Sequence, residues 1–292
     1  MQRMFSRRRS AGSFTIFGFI VALLVLAAST AQAQTEADAV HTYSSPDGEA
    51  LSAYLFHSSS PDPAPAIILL HGGGWAYGSP AWMESSARRL ADQGMVAISV
   101  QYRLSRNGVT PVDALHDTCA AMAWIREQAS SLGVDPSRIA AYGVSAGGHL
   151  AASMATFGCP DGTQGPDLLV LYSPAIRTSQ DGWFQRLLGQ PDDPAEYSPF
   201  EHVSETTPAT LIISGEEDTL TPHAFAEGYC AQLQALQTEC EIEAFSGVGH
   251  LLTRNLDNQE SDFDVAHADI QRARRVIDAF LTRHGYQTDP AQ

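Results

Sequence analysis

The sequence predicts an α/β fold in which helices cover both faces of a mostly parallel, doubly wound sheet. Short apolar runs of strand length alternate with segments of helical length between residues 66 and 284, and this alternation is typical of parallel sheets. The runs are continuously apolar, as in strands that are buried on both faces. The chain has 292 residues, 44% of them hydrophobic, which suffices for one large core.

The strands and helices of this fold can be placed from the N-terminus. A hairpin is expected first, because extended segments at 39–45 and 50–57 flank the turn residues Pro46-Asp47-Gly48. Six buried strands are predicted at Ala66–Leu70, Met95–Tyr102, Arg138–Tyr142, Leu168–Tyr172, Thr210–Ser214 and Glu241–Phe245. Five helices are predicted at Ala81–Gln93, Val112–Leu132, Ala146–Phe157, Pro222–Leu236 and Asp264–His284. Since ligands of such sheets bind at the carboxyl ends of the strands, reactive residues should directly follow a strand.

The segment from Ala175 to Pro208 interrupts the alternation of strands and helices. It contains an aromatic and apolar cluster at 183–188, followed by several prolines. We interpret residues 175–208 as a short cap insertion over the edge of the sheet where the strands end. An ordinary long connection is the alternative.

The first 33 residues differ from the rest of the chain. A basic start at Arg3 and Arg7-Arg8-Arg9 precedes an apolar run, Phe14–Ala28, and the small-residue pattern Ala31-Gln32-Ala33. This order is that of a cleaved secretory signal peptide. The alternative is an uncleaved membrane anchor, but the apolar run is shorter than the roughly 20 residues that a span requires. We expect residues 1–33 to be removed near Ala33, which leaves one catalytic domain, residues 34–292, in the periplasm or outside the cell without stable membrane insertion.

The charge of the chain excludes several classes of function. All 17 basic residues are arginine, and the loss of residues 1–33 leaves 13 of them against 33 acidic residues, a net charge of −20. Such a surface repels phosphate backbones, so we expect no nucleic-acid partner. The absence of lysine also excludes Schiff-base chemistry, a P-loop lysine and a Ser-Lys dyad.

The four cysteines stand at positions 119, 159, 230 and 240, and none forms a C-x-x-C pair. Zinc and thioredoxin-like sites are therefore poor interpretations. In an oxidising compartment Cys230 and Cys240 could meet. We expect no bond between Cys119 and Cys159, because they should lie near opposite ends of their helices. No metal-ligand cluster is visible, and we expect no cofactor.

A candidate nucleophile lies in Gly143-Val144-Ser145-Ala146-Gly147, a G-x-S-x-G motif. The motif joins a predicted strand to a predicted helix, and that corner is the context of a nucleophile elbow. Glycines are needed there because side chains would collide in so tight a turn. A glycine-rich turn with an incidental serine is the alternative.

A candidate oxyanion hole follows the first buried strand, in His71-Gly72-Gly73-Gly74-Trp75. Ester cleavage passes through a tetrahedral oxyanion that requires several aimed donors, and glycine backbone can turn its N–H groups inward. We expect the donors to be the N–H groups of Gly72, Gly73 and Ala146, with His71 supporting the loop. A plain turn or a phosphate loop is the alternative.

These motifs together resemble a known family. In order, the chain carries H-G-G-G-W, G-V-S-A-G, G-E-E-D at 215–218 and G-V-G-H at 247–250. This series is similar to that of bacterial carboxylesterases related to hormone-sensitive lipase, particularly the acetyl-xylan and feruloyl esterase-like members. Two further segments are also similar to those of these carboxylesterases: Asp135–Ile139, which precedes the serine, and residues 187–208. The resemblance covers about residues 66–250 and implies the α/β-hydrolase fold. Val144 departs from the Asp or Gly that the family often has there.

The family places an acid after the next-to-last strand and a histidine after the last. Asp218 and His250 occupy those positions, and the order Ser, Asp, His is the one that this fold uses. The imidazole would take the proton of Ser145, and the carboxylate would orient the imidazole. Glu216 and Glu217 are the alternatives to Asp218.

The predicted function is hydrolysis of short-acyl carboxylic esters, of small molecules or oligosaccharides. The resemblance favours acetyl or feruloyl esters of polysaccharides. Four aromatic residues could line the substrate pocket or belong to the core: Trp75, Tyr77, Trp183 and Phe184. An exopeptidase-like serine hydrolase and a non-catalytic binding protein with the same fold are the alternatives.

Overall fold

The computed structural model describes residues 36–58 and 63–287. Its centre is an eight-stranded sheet in the order β1-β2-β4-β3-β5-β6-β7-β8. The strands are β1 Ala39–Ser44, β2 Leu51–Phe56, β3 Ala64–Leu70, β4 Val96–Val100, β5 Val134–Val144, β6 Leu168–Tyr172, β7 Thr210–Gly215 and β8 Cys240–Phe245. The predicted signal peptide, residues 1–33, lies outside the described residues.

The sheet is parallel except at one edge. The hairpin strand β1 pairs with β2, and β2 with β4, in antiparallel fashion, whereas each pair from β4 through β8 is parallel. All residues of β3 are buried, and alternate side chains of this strand enter two separate apolar clusters, one on each face. The predicted fold class, a mostly parallel sheet covered on both faces, is therefore confirmed.

Seven α-helices accompany the strands in the described part of the chain. They are α1 Glu84–Asp92, α2 Pro111–Glu127, α3 Ala129–Leu132, α4 Ala146–Thr156, α5 Gly182–Leu188, α6 His223–Ala235 and α7 His267–Arg283. The single helix predicted for 112–132 is divided at Gln128, whose φ/ψ of −94°/8° is not helical. The last helix begins at His267 instead of Asp264, because Val265 pairs with Thr253 in an isolated bridge. Within 36–58 and 63–287, no helix combines the length and apolarity that crossing a membrane requires.

Two disulfides join the four cysteines. Cys230 of α6 is bonded to Cys240 at the start of β8, the pairing that the sequence left open. Cys119 is bonded to Cys159, so the expectation that these two do not meet is wrong. Cys119 lies in the middle of α2, which packs along α4, and the chain turns back after α4 at Gly158 with φ +79°. The turn brings Cys159 over the middle of α2, with 5.6 Å between the two Cα atoms.

The two disulfides are expected to differ in their contribution to stability. The bond between Cys119 and Cys159 spans 40 residues, and that between Cys230 and Cys240 spans 10. Because loop-closure entropy grows with loop length, the first bond should stabilise the fold by about 4 kcal/mol and the second by about 3 kcal/mol. Urea denaturation of the double alanine variant of each pair measures these values. An equal or larger loss from the Cys230/Cys240 variant would contradict the prediction.

The insertion at 175–208 consists of α5 and short 3₁₀ turns. Asp181 caps α5, since its carboxylate accepts hydrogen bonds from the N–H groups of Trp183 and Phe184. The indole N–H of Trp183 donates to the carbonyl of Gly74 over 2.9 Å. This bond places the helix of the insertion beside the glycine loop that follows β3.

Candidate active site

Ser145 occupies the turn between β5 and α4. Its φ/ψ of 52°/−115° is one that a non-glycine residue adopts only under strain. A Cβ on Gly143 would lie 2.3 Å from the carbonyl oxygen of Gly147, and one on Gly147 would lie 2.2 Å from that of Leu70. Neither position can hold a side chain. The Ser145 N–H donates to the carbonyl of Tyr172 over 2.9 Å, which ties the turn to β6.

Ser145, His250 and Asp218 form one hydrogen-bonded chain. His250 Nε2 lies 3.0 Å from Ser145 Oγ, and His250 Nδ1 lies 2.9 Å from Asp218 Oδ2. The residues follow β5, β8 and β7, so all three stand at the carboxyl edge of the sheet. A carboxylate cannot donate, so Nδ1 carries the proton towards Asp218 and Nε2 is left to accept the serine proton.

The carboxylate of Asp218 is held in place from both sides. Its Oδ1 accepts hydrogen bonds from the N–H groups of Leu220 and Thr221, and its Oδ2 accepts one from Thr221 Oγ1. Asp218 is 5% exposed. The rival carboxylates Glu216 and Glu217 are exposed, and neither forms a hydrogen bond or ion pair with His250.

The glycine loop after β3 lies directly against Ser145. A Cβ on Gly72 would stand 3.2 Å from Ser145 Cβ, and Gly73 has φ +113°. Within the described chain, the N–H groups of Gly72, Gly73 and Ala146 donate to no acceptor. The N–H of Ala146 also begins α4, where the helix dipole favours negative charge. These three groups are therefore free to bind an oxyanion beside the serine.

His71 lies behind the glycine loop and supports it. It is 1% exposed, stacks on Tyr102, and its Nδ1 donates to the carbonyl of Gly72 over 2.7 Å. Burial lowers the pKa of His71 to about 4, so the ring is neutral at neutral pH. His71 therefore has a structural role, as the sequence led us to expect.

Comparison with known proteins agrees with this geometry. The family model described as the alpha/beta hydrolase fold matches residues 67–254. The chain belongs to this family. The apo form of Thermogutta terrifontis esterase 2 superposes on this α/β-hydrolase with a TM-score of 0.77 and 28% identity, covering 88% of the present chain and 98% of that one. Structures of the same esterase are described as propionate-bound and butyrate-bound.

Curated relatives match over shorter regions. Esterase LipC of Mycobacterium tuberculosis is 29% identical over 214 residues, which cover 64% of this chain and 53% of LipC. Ethyl acetate hydrolase of Pseudomonas putida is 39% identical over 113 residues, which cover 37% of this chain and 35% of that enzyme. The α/β-hydrolase thus spans about half or less of the length of these curated relatives.

A cleft of about 1030 Å³ opens above Ser145 and His250. Three of the four predicted pocket aromatics border it: Trp75, Tyr77 and Trp183. Phe184 does not line the cleft and belongs to the core, the second of the two possibilities that the sequence left open, because its ring lies apart from the cleft and is fully buried against Trp75 and His149. In the residues that the structure describes, no group of His, Cys, Asp or Glu side chains is arranged to hold a metal ion.

His149 joins the nucleophile helix α4 to the insertion. Its Nδ1 accepts a hydrogen bond from Trp75 Nε1 over 3.1 Å, and its Nε2 donates to the carbonyl of Tyr197 over 2.7 Å. Burial lowers the pKa of His149 to about 4, so the neutral ring can serve one acceptor and one donor role at once. The histidine therefore fixes the wall of the cleft and takes no part in proton transfer.

Two residues of the α/β-hydrolase site escaped the sequence analysis. Thr221 Oγ1 lies within 3.1 Å of His250 Nδ1 and donates to Asp218. Gln259 is 5% exposed, and its Oε1 accepts hydrogen bonds from the N–H groups of Thr219 and His250, while its Nε2 donates to the carbonyl of Glu217. The side chain of Gln259 thus holds the acid loop and the histidine loop together. No local pattern marks either residue, since each acts through its position in space.

Gln259→Ala is expected to reduce kcat about tenfold with little change in KM, because the loops that align Asp218 and His250 lose their shared amide. The unpaired N–H groups should also lower the free energy of unfolding by about 2–3 kcal/mol. Steady-state kinetics and urea denaturation measure both effects.

The matched control is Gln234→Ala, which removes a single hydrogen bond to Cys240, far from the cleft. Gln259→Glu keeps both acceptor roles and should recover part of kcat. A Gln259→Ala protein that loses stability but keeps full kcat would show that the residue is merely structural.

Proposed function

We propose that this protein is a serine carboxylesterase that hydrolyses short-acyl esters through an acyl-enzyme. The observation that carries the proposal is the hydrogen-bonded chain Ser145–His250–Asp218, which faces a cleft beside three free backbone N–H groups. A serine hydroxyl becomes an effective nucleophile when an oriented imidazole takes its proton. The arrangement therefore has each part that acyl transfer requires.

The reaction proceeds in two steps. Ser145 Oγ attacks the ester carbonyl while its proton passes to His250 Nε2, and the carbonyl oxygen becomes an oxyanion bound by the N–H groups of Gly72, Gly73 and Ala146. His250 then gives the proton to the leaving alcohol, and the acyl group stays on Ser145. In the second step His250 takes a proton from a water, which attacks the acyl carbonyl. The bond between the acyl carbon and Ser145 Oγ then breaks, His250 returns the proton to Oγ, and the acid is released. Asp218 stabilises the imidazolium in both steps.

Similar proteins and the sequence resemblance both bear on the size of the acyl group. Ethyl acetate hydrolase and the propionate-bound and butyrate-bound esterase structures, all similar to this chain, support a short acyl group. The sequence resemblance to acetyl-xylan and feruloyl esterase-like proteins supports acetyl or feruloyl esters of polysaccharides. A cleft of about 1030 Å³ accommodates either.

Two substrates test the proposal against its alternatives. We expect hydrolysis of p-nitrophenyl acetate and no release of p-nitroaniline from a peptide p-nitroanilide. Cleavage of the anilide at a comparable rate would favour an exopeptidase-like enzyme, and failure on both would favour a binding protein. A series of p-nitrophenyl esters from acetate to octanoate then measures which acyl length the enzyme prefers. We expect the highest kcat/KM for acyl chains of about two to four carbons.

We also propose that the protein acts after export, in the periplasm or outside the cell. The two disulfides support this, because such bonds persist in oxidising compartments. Mass spectrometry of the protein recovered from expressing cells should find an N-terminus at Gln34. Recovery of the intact Met1 terminus from a cytosolic fraction would contradict the proposal.

A further inference from the structure

The hydroxyl group of Thr221 lies between three polar atoms of the candidate active site. Its Oγ1 is 2.7 Å from Asp218 Oδ2, 3.1 Å from the carbonyl oxygen of Ser173 and 3.1 Å from His250 Nδ1. A hydroxyl has one proton to donate, and it can also accept through its lone pairs. Because the two oxygens are acceptors and Nδ1–H is a donor, the side chain of Thr221 has two alternative hydrogen-bonding arrangements.

In the first arrangement, Thr221 donates to Asp218. This distance is the shorter of the two, and a carboxylate is a stronger acceptor than a carbonyl group. Asp218 Oδ2 also accepts a hydrogen bond from His250 Nδ1–H over 2.9 Å, so two donors share one oxygen. The hydroxyl of Thr221 therefore competes with the imidazole for the charge of that oxygen.

In the second arrangement, Thr221 donates to the carbonyl of Ser173, which directly follows β6. Ser173 is fully buried, its N–H donates to the carbonyl of Ile213, and its Oγ accepts from the N–H of Leu251. Its own carbonyl accepts no hydrogen bond in the described chain except from Thr221. A fixed acceptor thus waits for the hydroxyl proton, and a lone pair of Oγ1 can then face His250 Nδ1–H.

The charge of His250 determines which arrangement is favourable. Before the attack His250 is neutral, as its role as the base requires, and the carboxylate of Asp218 attracts the hydroxyl proton of Thr221. Once His250 holds the serine proton, its Nδ1–H is a stronger donor to Oδ2, and a second donor on that oxygen becomes unfavourable. Since the side chains of Thr221, Asp218 and His250 are buried, little water is present to take over either role.

We propose that Thr221 is a positioning residue whose hydroxyl proton turns from Asp218 Oδ2 to the carbonyl of Ser173 each time His250 becomes charged. The inference rests on the proposed esterase function. The movement is a rotation about the Cβ–Oγ1 bond and breaks no covalent bond. It leaves Oδ2 to the imidazolium and turns a lone pair of Thr221 towards Nδ1–H. The hydroxyl returns to Asp218 when His250 gives up its proton.

Thr221→Val tests the kinetic part of the proposal, because valine keeps the shape of the side chain without the hydroxyl. With p-nitrophenyl acetate, we expect kcat to fall about 3- to 10-fold, since the imidazolium loses one acceptor. Because the outline of the cleft is retained, KM should change less than about twofold. Thr221→Ser keeps the hydroxyl, and its kcat should stay within about twofold of the wild-type value.

The matched control is Thr118→Val. Thr118 is also a buried threonine, but its Oγ1 donates to the carbonyl of Leu115 within α2, and it does not border the cleft. Its kcat should equal that of the wild type. A loss of kcat in Thr118→Val as large as that in Thr221→Val would attribute both losses to disturbed packing and would refute the proposal.

Proton NMR tests the rotation itself, through the far-downfield resonance of His250 Nδ1–H. It is recorded for the free protein and for its complex with phenylboronic acid, in which Ser145 Oγ adds to boron and its proton passes to His250. In the free protein, Thr221→Val should move the resonance downfield, because the competing donor on Asp218 is gone. In the boronate complex the shift should be smaller, since the hydroxyl has already turned to Ser173. Equal shifts in both forms would show that the hydroxyl stays on Asp218 and would overturn the proposal.

The outcomes separate this inference from the function on which it rests. If the wild type neither hydrolyses p-nitrophenyl acetate nor forms the boronate adduct, the proposed function itself is wrong. If the wild type does both but Thr221→Val keeps the wild-type kcat, only the role of Thr221 is refuted. A kcat of Thr221→Ser as low as that of Thr221→Val would also refute it, because the hydroxyl would then not be the group that matters.

Discussion

Ser145→Ala is expected to lower kcat for p-nitrophenyl acetate by about 10⁵- to 10⁶-fold. The substitution removes the oxygen that lies 3.0 Å from His250 Nε2, and no other hydroxyl contacts that nitrogen in the described chain. Residual turnover would come from water activated by His250 next to the free N–H groups. Substrate binding should persist, so the loss should appear in kcat.

The same variant should fold normally. Alanine has no atom beyond Cβ to disturb the turn, but it keeps the strained φ of +52°. Ser145→Gly, in contrast, relieves that strain and should raise the free energy of unfolding by about 1 kcal/mol while being equally inactive. Ser153→Ala, which removes a buried hydroxyl from the interior of α4, is the matched control and should retain wild-type kcat. Wild-type turnover by a folded Ser145→Ala protein would end the acyl-enzyme proposal.

Asp218→Asn is expected to lower kcat by about 10⁴-fold. The amide oxygen can replace Oδ1, which accepts from the N–H groups of Leu220 and Thr221. The amide NH₂ group must then face His250 Nδ1 and force the other tautomer, in which Nε2 carries a proton and cannot accept one from Ser145. The loop should therefore stay intact while proton transfer fails.

Glu217→Gln tests whether Asp218 is the carboxylate that orients His250. Glu217 lies one position away and is exposed, so its neutralisation should change kcat less than about twofold. Urea denaturation of both variants checks that each one is folded. A larger kcat loss in Glu217→Gln than in Asp218→Asn would transfer the orienting role to Glu217.

Local sequence patterns were sufficient to predict those features that the backbone conformation itself defines. The turn at Ser145 requires glycines at 143 and 147 because carbonyl oxygens fill the space of their side chains, and that requirement is visible in the motif. Asp218 and His250 could be placed because parallel strands end at one edge. The sequence thus indicated which three side chains the fold brings together.

Features that depend on packing between distant segments could not be predicted in this way. The bond between Cys119 and Cys159 depends on how α2 lies along α4 and on the turn at Gly158. Gln259 stands in an irregular loop, and only the folded chain brings it to His250. Phe184 and Trp183 are adjacent, and their division between core and cleft follows from the orientation of α5.

The nucleophile helix α4 is secured at both ends. At its start, the elbow is tied to β6 through Ser145 and Tyr172, and just beyond its last turn Cys159 is bonded to α2. Few substitutions in this helix can therefore adapt the site to new esters, in natural or in laboratory evolution. The freedom lies in exposed side chains at the mouth of the cleft, such as Tyr77 and Trp82, which can be exchanged without moving the serine. Libraries that aim to change selectivity should diversify those positions and leave the helix and its disulfide unaltered.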